Sequence, residues 1–402
     1  MGVDDDWLEA AGYGMTGIPE LAKVCPDCLP DPHLSDWVVE SGRAAKCDVC
    51  GRANKVAWFS DLFAEMQQRI AAELLPFSMS DEVPGAEWEI DPPTVGTAEL
   101  LDDLGEPLGP VDSALSAAFC AAFEDNWIPV GAWAGTLEDW LNEGWDRFAE
   151  TVKTTTRFVF AHTPRERWMR DVDIAPGEML ARIGEVIRTT DIVTPHGNGI
   201  ELFRGRKHHP AETYSTPAEL GPPPVSKAGN QRMSPPGISF FYAAADDETA
   251  LAELRGVDGE YATTATWMVN RLCRVVDLDP ARMPDMPSIF DLGRRHLRAP
   301  LAFLLRFAEE IAKPVRAGDD PAVDYVPTQV VAEYIRHIVR TSTNDPIDGI
   351  RYPSAARRGG ANVVLFVGPE GVAGATPLLR MTSGPRRFEA VDTTTVWEPR
   401  SL

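Results

Sequence analysis

No stretch of this 402-residue chain comes near the ~20 uninterrupted apolar residues that a membrane-spanning helix needs. The start, Met1 to Asp6, has no basic segment leading into an apolar one, so no secretory signal is expected and a cytoplasmic location is. Basic residues are scarce in the first half. Residues 1–200 hold 36 Asp/Glu against 14 Lys/Arg, a net of −22, whereas the remainder holds 25 against 24. Nucleic-acid binders carry a basic footprint, and an acidic surface repels phosphate backbones. Nucleic acid is therefore not an expected partner of the N-terminal half. The near-neutral second half stays free to bind a small anionic ligand at a local site. Cysteine is sparse as well, with six in the chain. Cys120 and Cys273 stand alone among apolar neighbours, as small buried hydrophobes do, and fit a reducing compartment.

The other four cysteines form two pairs, Cys25-Pro-Asp-Cys28 and Cys47-Asp-Val-Cys50, with 18 residues between them. That is zinc-ribbon spacing. Two such turns present four thiolates to one ion, and a tetrahedral sulfur shell satisfies Zn²⁺ with no open position for a substrate. A structural zinc site is expected, and a redox pair is the weaker alternative.

A chain this long predicts two or three domains. Residues 1–55 read as the zinc-ribbon module and 56–195 as a helical domain. Within the latter, Asp61–Leu75 carries Leu62, Phe63, Met66, Ile70 and Leu74 at helical spacing. Ser113–Phe123, Leu137–Val152 and Gly177–Thr189 also read as helices, and the acidic, Pro-rich 76–110 stretch as a loop. Residues 196–385 then mix short strands with helices, giving an α+β domain. Strands are expected at Ile200–Arg204, Gly237–Ala243, Tyr261–Met268, Cys273–Leu278, Gly349–Tyr352, Val363–Val367 and Leu378–Met381, with helices at Asp247–Arg255, Leu301–Ile311 and Thr328–Val339. Residues 386–402 read as a C-terminal tail.

The chemistry concentrates between Arg204 and Asn362. Arg204 ends a strand. Arg232 stands ten residues before Tyr242, and Glu253 eleven residues beyond it, an Arg-x9-Tyr-x10-Glu run. Tyr352-Pro353-Ser354 precedes Asn362 and a strand running into Leu365-Phe366. Taken singly, each has an ordinary structural reading: a solvated arginine, a core tyrosine, a surface glutamate, a turn serine. Their joint spacing resembles the RES family, named for an arginine, a glutamate and a serine, over about residues 197–367. Many members have Gly-Arg-Trp-Asn where this chain has Gln231-Arg232-Met233-Ser234.

The resemblance implies an ADP-ribosyltransferase-like fold and a toxin that consumes NAD and is neutralised by an antitoxin. By position, Arg204, Tyr242, Glu253 and Ser354 match the family's catalytic set, and Arg204, Arg232, Tyr242 and Asn362 would bind NAD. The residue types suit that chemistry. Nicotinamide leaves NAD as a neutral base, so the barrier is dominated by positive charge developing on the ribose, as in glycoside hydrolysis. A fixed carboxylate stabilises that charge, arginine forks hold a pyrophosphate, and a tyrosine ring stacks on a cationic ring. ADP-ribosyl transfer to a macromolecule is the nearest alternative. A regulatory protein with an inactive domain of this type is the alternative from another class.

The N-terminal helical region resembles the HEPN-type domain found ahead of RES domains in some proteins. HEPN ribonucleases carry Arg-x4-His, a spacing present at Arg157–His162 and at Arg204–His209. The acidic surroundings disfavour RNA, so a packing or regulatory role is expected instead.

Overall fold

The computed structural model describes residues 22–76, 94–110, 112–123, 126–129, 135–162, 165–167, 169–197, 199–257, 259–314, 320–373, 377–391 and 396–400. They divide into two compact units, one spanning residues up to 139 together with 286–299, the other 140–285 together with 300 onward.

In the first unit, β1 (Lys23–Val24), β2 (Arg43–Lys46) and β3 (Ala53–Trp58) form a small antiparallel sheet in the order β1-β3-β2, with α1 (Pro32–Ser41) between β1 and β2. Asp31 caps α1 by accepting from the His33 and Leu34 N–H groups. The helix α2 (Phe59–Ile70) buries Leu62, Phe63, Met66 and Ile70, the stripe its period predicts. Leu74 does not extend it; β4 (Leu74–Pro76) begins there instead and pairs with β6 (Asn126–Pro129), which also pairs with β5 (Val95–Gly96). Pro76 cannot sit inside a helix. The stretch read as a loop contains α3 (Thr97–Asp103), while its residues 77–93 lie outside the described ones. Ser113 caps α4 (Ala114–Ala122). Phe63 meets Phe119 edge-on at 5.0 Å, and Phe119 meets Phe123 at 4.6 Å. Phe119 is fully buried. Phe119→Ala is expected to cost about 3–5 kcal/mol, read as a lowered urea midpoint for this unit.

Segment 286–299 reaches this core from far along the chain. Ile289 and Phe290 are buried in it, and Arg69 donates to the Phe290 carbonyl at 2.7 Å.

The second unit holds α5 (Leu137–Glu150, from Trp140 onward), α6 (Pro176–Thr189) and a ten-stranded sheet. Its strands are β7 (Val193–His196), β8 (Glu201–His208), β9 (Phe241–Ala244), β10 (Tyr261–Val269), β11 (Cys273–Asp277), β12 (Gly349–Pro353), β13 (Ala361–Leu365), β14 (Leu379–Met381), β15 (Arg386–Val391) and β16 (Val396–Arg400). The order is β16-β15-β10-β8-β9-β13-β12-β11-β7, with β14 also on β10. Only the β11–β12 pairing among these is parallel. The helices are α7 (Pro217–Leu220), α8 (Asp247–Leu254), α9 (Arg298–Ala312), α10 (Pro321–Asp324) and α11 (Val326–His337). The fold is therefore mixed helix and sheet, as expected.

Two differences matter. The strand expected over Gly237–Ala243 is confined to β9, because Pro235, Pro236 and Gly237 (φ 87°) cannot ladder and form a turn instead. The expected tail contains β15 and β16. Phe388 and Ala390 alternate with Arg387 and Glu389, a period-two pattern that buries one face.

Candidate functional site

Cross-strand register gathers the site. Ala244 pairs with Asn362, Tyr242 with Val364, and Tyr352 with Asn362, so Tyr242, Asn362 and Tyr352 share one face of the sheet. The opposite face carries Phe241, Ala243, Val363 and Leu365 into the apolar core. Beside them β8 and β9 share a single bridging pair, Phe203 with Ala244, and Arg204 reaches across to donate to the Tyr242 carbonyl.

The helix α8 follows β9, with Asp246 accepting from the Thr249 N–H at 2.8 Å. Gly205 lets it sit close, since a Cβ there would stand 2.8 Å from Leu254 Cδ1. The seating brings Glu253 to Asn362 and Ser354. Asn362 Nδ2 donates to Glu253 Oε1 at 2.7 Å, and Ser354 Oγ donates to the same oxygen at 2.5 Å. Ser354 is itself fixed, because its Oγ accepts from the N–H groups of Ala356 and Arg357, each at 3.1 Å. Among the described residues Glu253 Oε2 has no hydrogen-bond partner.

A cavity of about 720 Å³ opens in front of this carboxylate, well within the range of small-molecule sites. Five of the six residues singled out from the sequence line it: Arg204, Arg232, Tyr242, Glu253 and Asn362. Ser354 stands behind Glu253. Sequence reasoning missed Tyr352, Arg206, Lys207, Lys227 and Arg255, which also line it. Arg206 shares a face of β8 with Arg204, but the strand was expected to end at Arg204 and instead runs on to His208; Lys227 and Arg255 carry no signal in the sequence. Six cations thus face one carboxylate, in a chain whose net charge is −23. Lys207 is paired with Glu260 at 3.0 Å.

Arg204 is the most exacting of these groups. Its Nε is buried without a partner, and it has no ion pair among the described residues. Burial, and then the nearby Arg206, hold its pKa down to about 10, so it stays cationic at neutral pH while its charge is uncompensated. A bound anion would relieve both effects. Burial pushes the Tyr242 phenol up, so it stays neutral. Its hydroxyl is held by Ser234 Oγ at 2.9 Å and accepts from the Met233 N–H at 3.1 Å.

In the first unit, each cysteine pair lies in a turn after a strand. Cys25 Sγ is 3.6 Å from both Cys28 and Cys50, and Cys28 is 3.9 Å from Cys47. All four sulfurs lie within 4.8 Å of one another. A tetrahedron with ~2.3 Å metal–sulfur bonds has edges of about 3.8 Å, so the cluster fits one four-coordinate ion.

The Arg-x4-His spacings assemble nothing comparable. Arg157 and His162 are both exposed, with no side-chain partner among the described residues, and His209 is exposed past the end of β8. Among the described residues no helix is long and apolar enough to cross a membrane.

Residues 201–387 match the RES domain, and residues 40–166 match HEPN/RES N-terminal domain 1. The RES family is associated with NAD-linked enzymatic activity. No curated protein and no solved structure matches the chain.

Proposed function

We propose that this chain, a RES domain protein with a HEPN/RES-like N-terminal domain, cleaves the nicotinamide–ribose bond of NAD. The observation that carries the reading is Glu253, with one oxygen anchored twice and the other without a partner among the described residues, at the wall of a cavity otherwise rich in cations. In this reading Arg204 and Arg232 take the pyrophosphate, and the Tyr242 ring holds nicotinamide. The C–N bond breaks with its electron pair going to the nicotinamide nitrogen, which becomes neutral. The positive charge passes to the ribose, where Glu253 stabilises it. Ser354 and Asn362 keep that carboxylate from rotating away. Water or inorganic phosphate then adds to the anomeric carbon, water losing a proton as it does so.

Cys25, Cys28, Cys47 and Cys50 would hold a structural Zn²⁺, which adds no open coordination position to this chemistry. An enzyme that drains NAD needs restraint, so a partner antitoxin belongs to the same reading.

Hydrogen bonds to charged groups are worth about 1.5–3 kcal/mol, or roughly 10–100-fold in affinity. Arg204→Met is therefore expected to weaken NAD binding by about that factor in an equilibrium titration. Undiminished binding by a folded Arg204→Met variant would remove Arg204 from the site.

A further inference from the structure

The turn that carries Arg232 departs from the family's Gly-Arg-Trp-Asn and is built on an unusual support. Gln231 and Ser234 close it with a pair of backbone hydrogen bonds, the Gln231 N–H to the Ser234 carbonyl at 2.9 Å and the reverse at 3.3 Å. Arg232 stands at its tip, and Met233 and Ser234 grip the Tyr242 hydroxyl from its other end. One short turn therefore places both the arginine and the tyrosine of the site.

The turn is also held from outside. Gln329, on α11 and 7% exposed, points its amide into it. Its Nε2 lies 2.7 Å from the Gln231 carbonyl, 2.8 Å from Asn230 Oδ1 and 3.4 Å from the Ser234 carbonyl. Thr328 Oγ1, next on the same helix, is 2.5 Å from the Arg232 carbonyl. A buried primary amide has two protons, and here both are directed at acceptors of the turn. Tyr325, one turn earlier, lies under the Arg232 guanidinium at 5.0 Å.

We propose that Gln329 is a positioning residue that holds the 230–234 turn, and through it Arg232 and the Tyr242 hydroxyl, in the geometry that binds the substrate. The proposal rests on the reading of the cavity as a NAD site. Gln329 does not line the cavity; it acts by tying the Asn230 side chain and the Gln231 carbonyl to α11.

The test compares Gln329→Met, Arg232→Ala and the double variant in the full chain. Methionine keeps the volume and removes the donors. With Arg232 present, Gln329→Met is expected to raise KM for NAD about tenfold with kcat within a few-fold, the pattern of lost substrate binding away from the reacting bond. In the Arg232→Ala background the same change is expected to have a much smaller effect, because the coupling runs through that arginine. Amide exchange at Met233 and Ser234 is expected to quicken in Gln329→Met, while the rest of the sheet stays protected. An unchanged KM, full additivity in the double variant, or unchanged exchange at Met233 would overturn the proposal. Absence of NAD turnover by the unmodified chain would instead overturn the NAD reading, and the exchange result would still decide whether Gln329 holds the turn.

Discussion

Glu253→Gln is expected to lower kcat for NAD cleavage by on the order of 10²–10⁴ while leaving the fold and KM nearly unchanged. The substitution is close to isosteric. An amide oxygen in place of Oε1 still accepts from Asn362 and Ser354, so the anchoring at 2.7 Å and 2.5 Å survives. What changes is the atom facing the cavity, where a neutral NH₂ replaces half of a carboxylate. A neutral dipole stabilises a ribosyl cation far less than a fixed negative charge in a partly desolvated site. The ground state carries its positive charge on nicotinamide rather than ribose, so binding should feel the change little and the transition state much. The measurement is steady-state kinetics on both forms with circular dichroism as the fold control. A loss seen only in KM would make Glu253 a binding group.

The second large effect concerns the cysteine module. Cys25→Ser combined with Cys28→Ser is expected to reduce bound zinc from one equivalent to none and to loosen β2 and the Cys47–Cys50 turn. The apolar support around the second cysteine pair is slight: Cys25, Cys47 and Val56 make a cluster of their own, while Val24, Leu34, Val38 and Ala57 belong to the main core of the unit. Structural zinc supplies about 10–16 kcal/mol of apparent binding free energy in comparable modules, more than so small a local cluster contributes. Metal analysis by mass spectrometry and amide exchange across residues 43–58 read the two effects. An unmodified chain with no metal, or a double variant with unchanged exchange, would count against a structural ion.

How much of this was legible beforehand follows from the range of the interactions involved. Local patterns read well. The α2 stripe, the helix over Ser113–Phe123, the two cysteine turns and the Asp247 helix all depend on neighbours within a few positions. The spacing of Arg232, Tyr242 and Glu253 was legible through its family resemblance, and the structure brings all three to one cavity. Long-range placement was not legible. Nothing near Ile289 and Phe290 announces that they join a core built from residues more than 150 positions earlier. Gln329 reads as one polar residue on an amphipathic helix, and its role follows only from the turn it meets across 98 positions. Arg204 looked like a strand-end arginine; its buried, unpartnered Nε lies where β8 and β9 share a single pair, a property of two strands and not of one. The strand pattern of β15 was present but short, and four residues of alternation fall near the limit of what periodicity alone can separate from a tail.

The most direct measurement is nicotinamide release from NAD by the purified full-length chain and by its Glu253→Gln variant, with and without inorganic phosphate, with the ribosyl product identified. The account predicts release by the unmodified chain, near-complete loss in the variant, and a small-molecule product, ADP-ribose or its 1-phosphate, that names the acceptor. NAD left intact by the unmodified chain, or equal release by both forms, would contradict it.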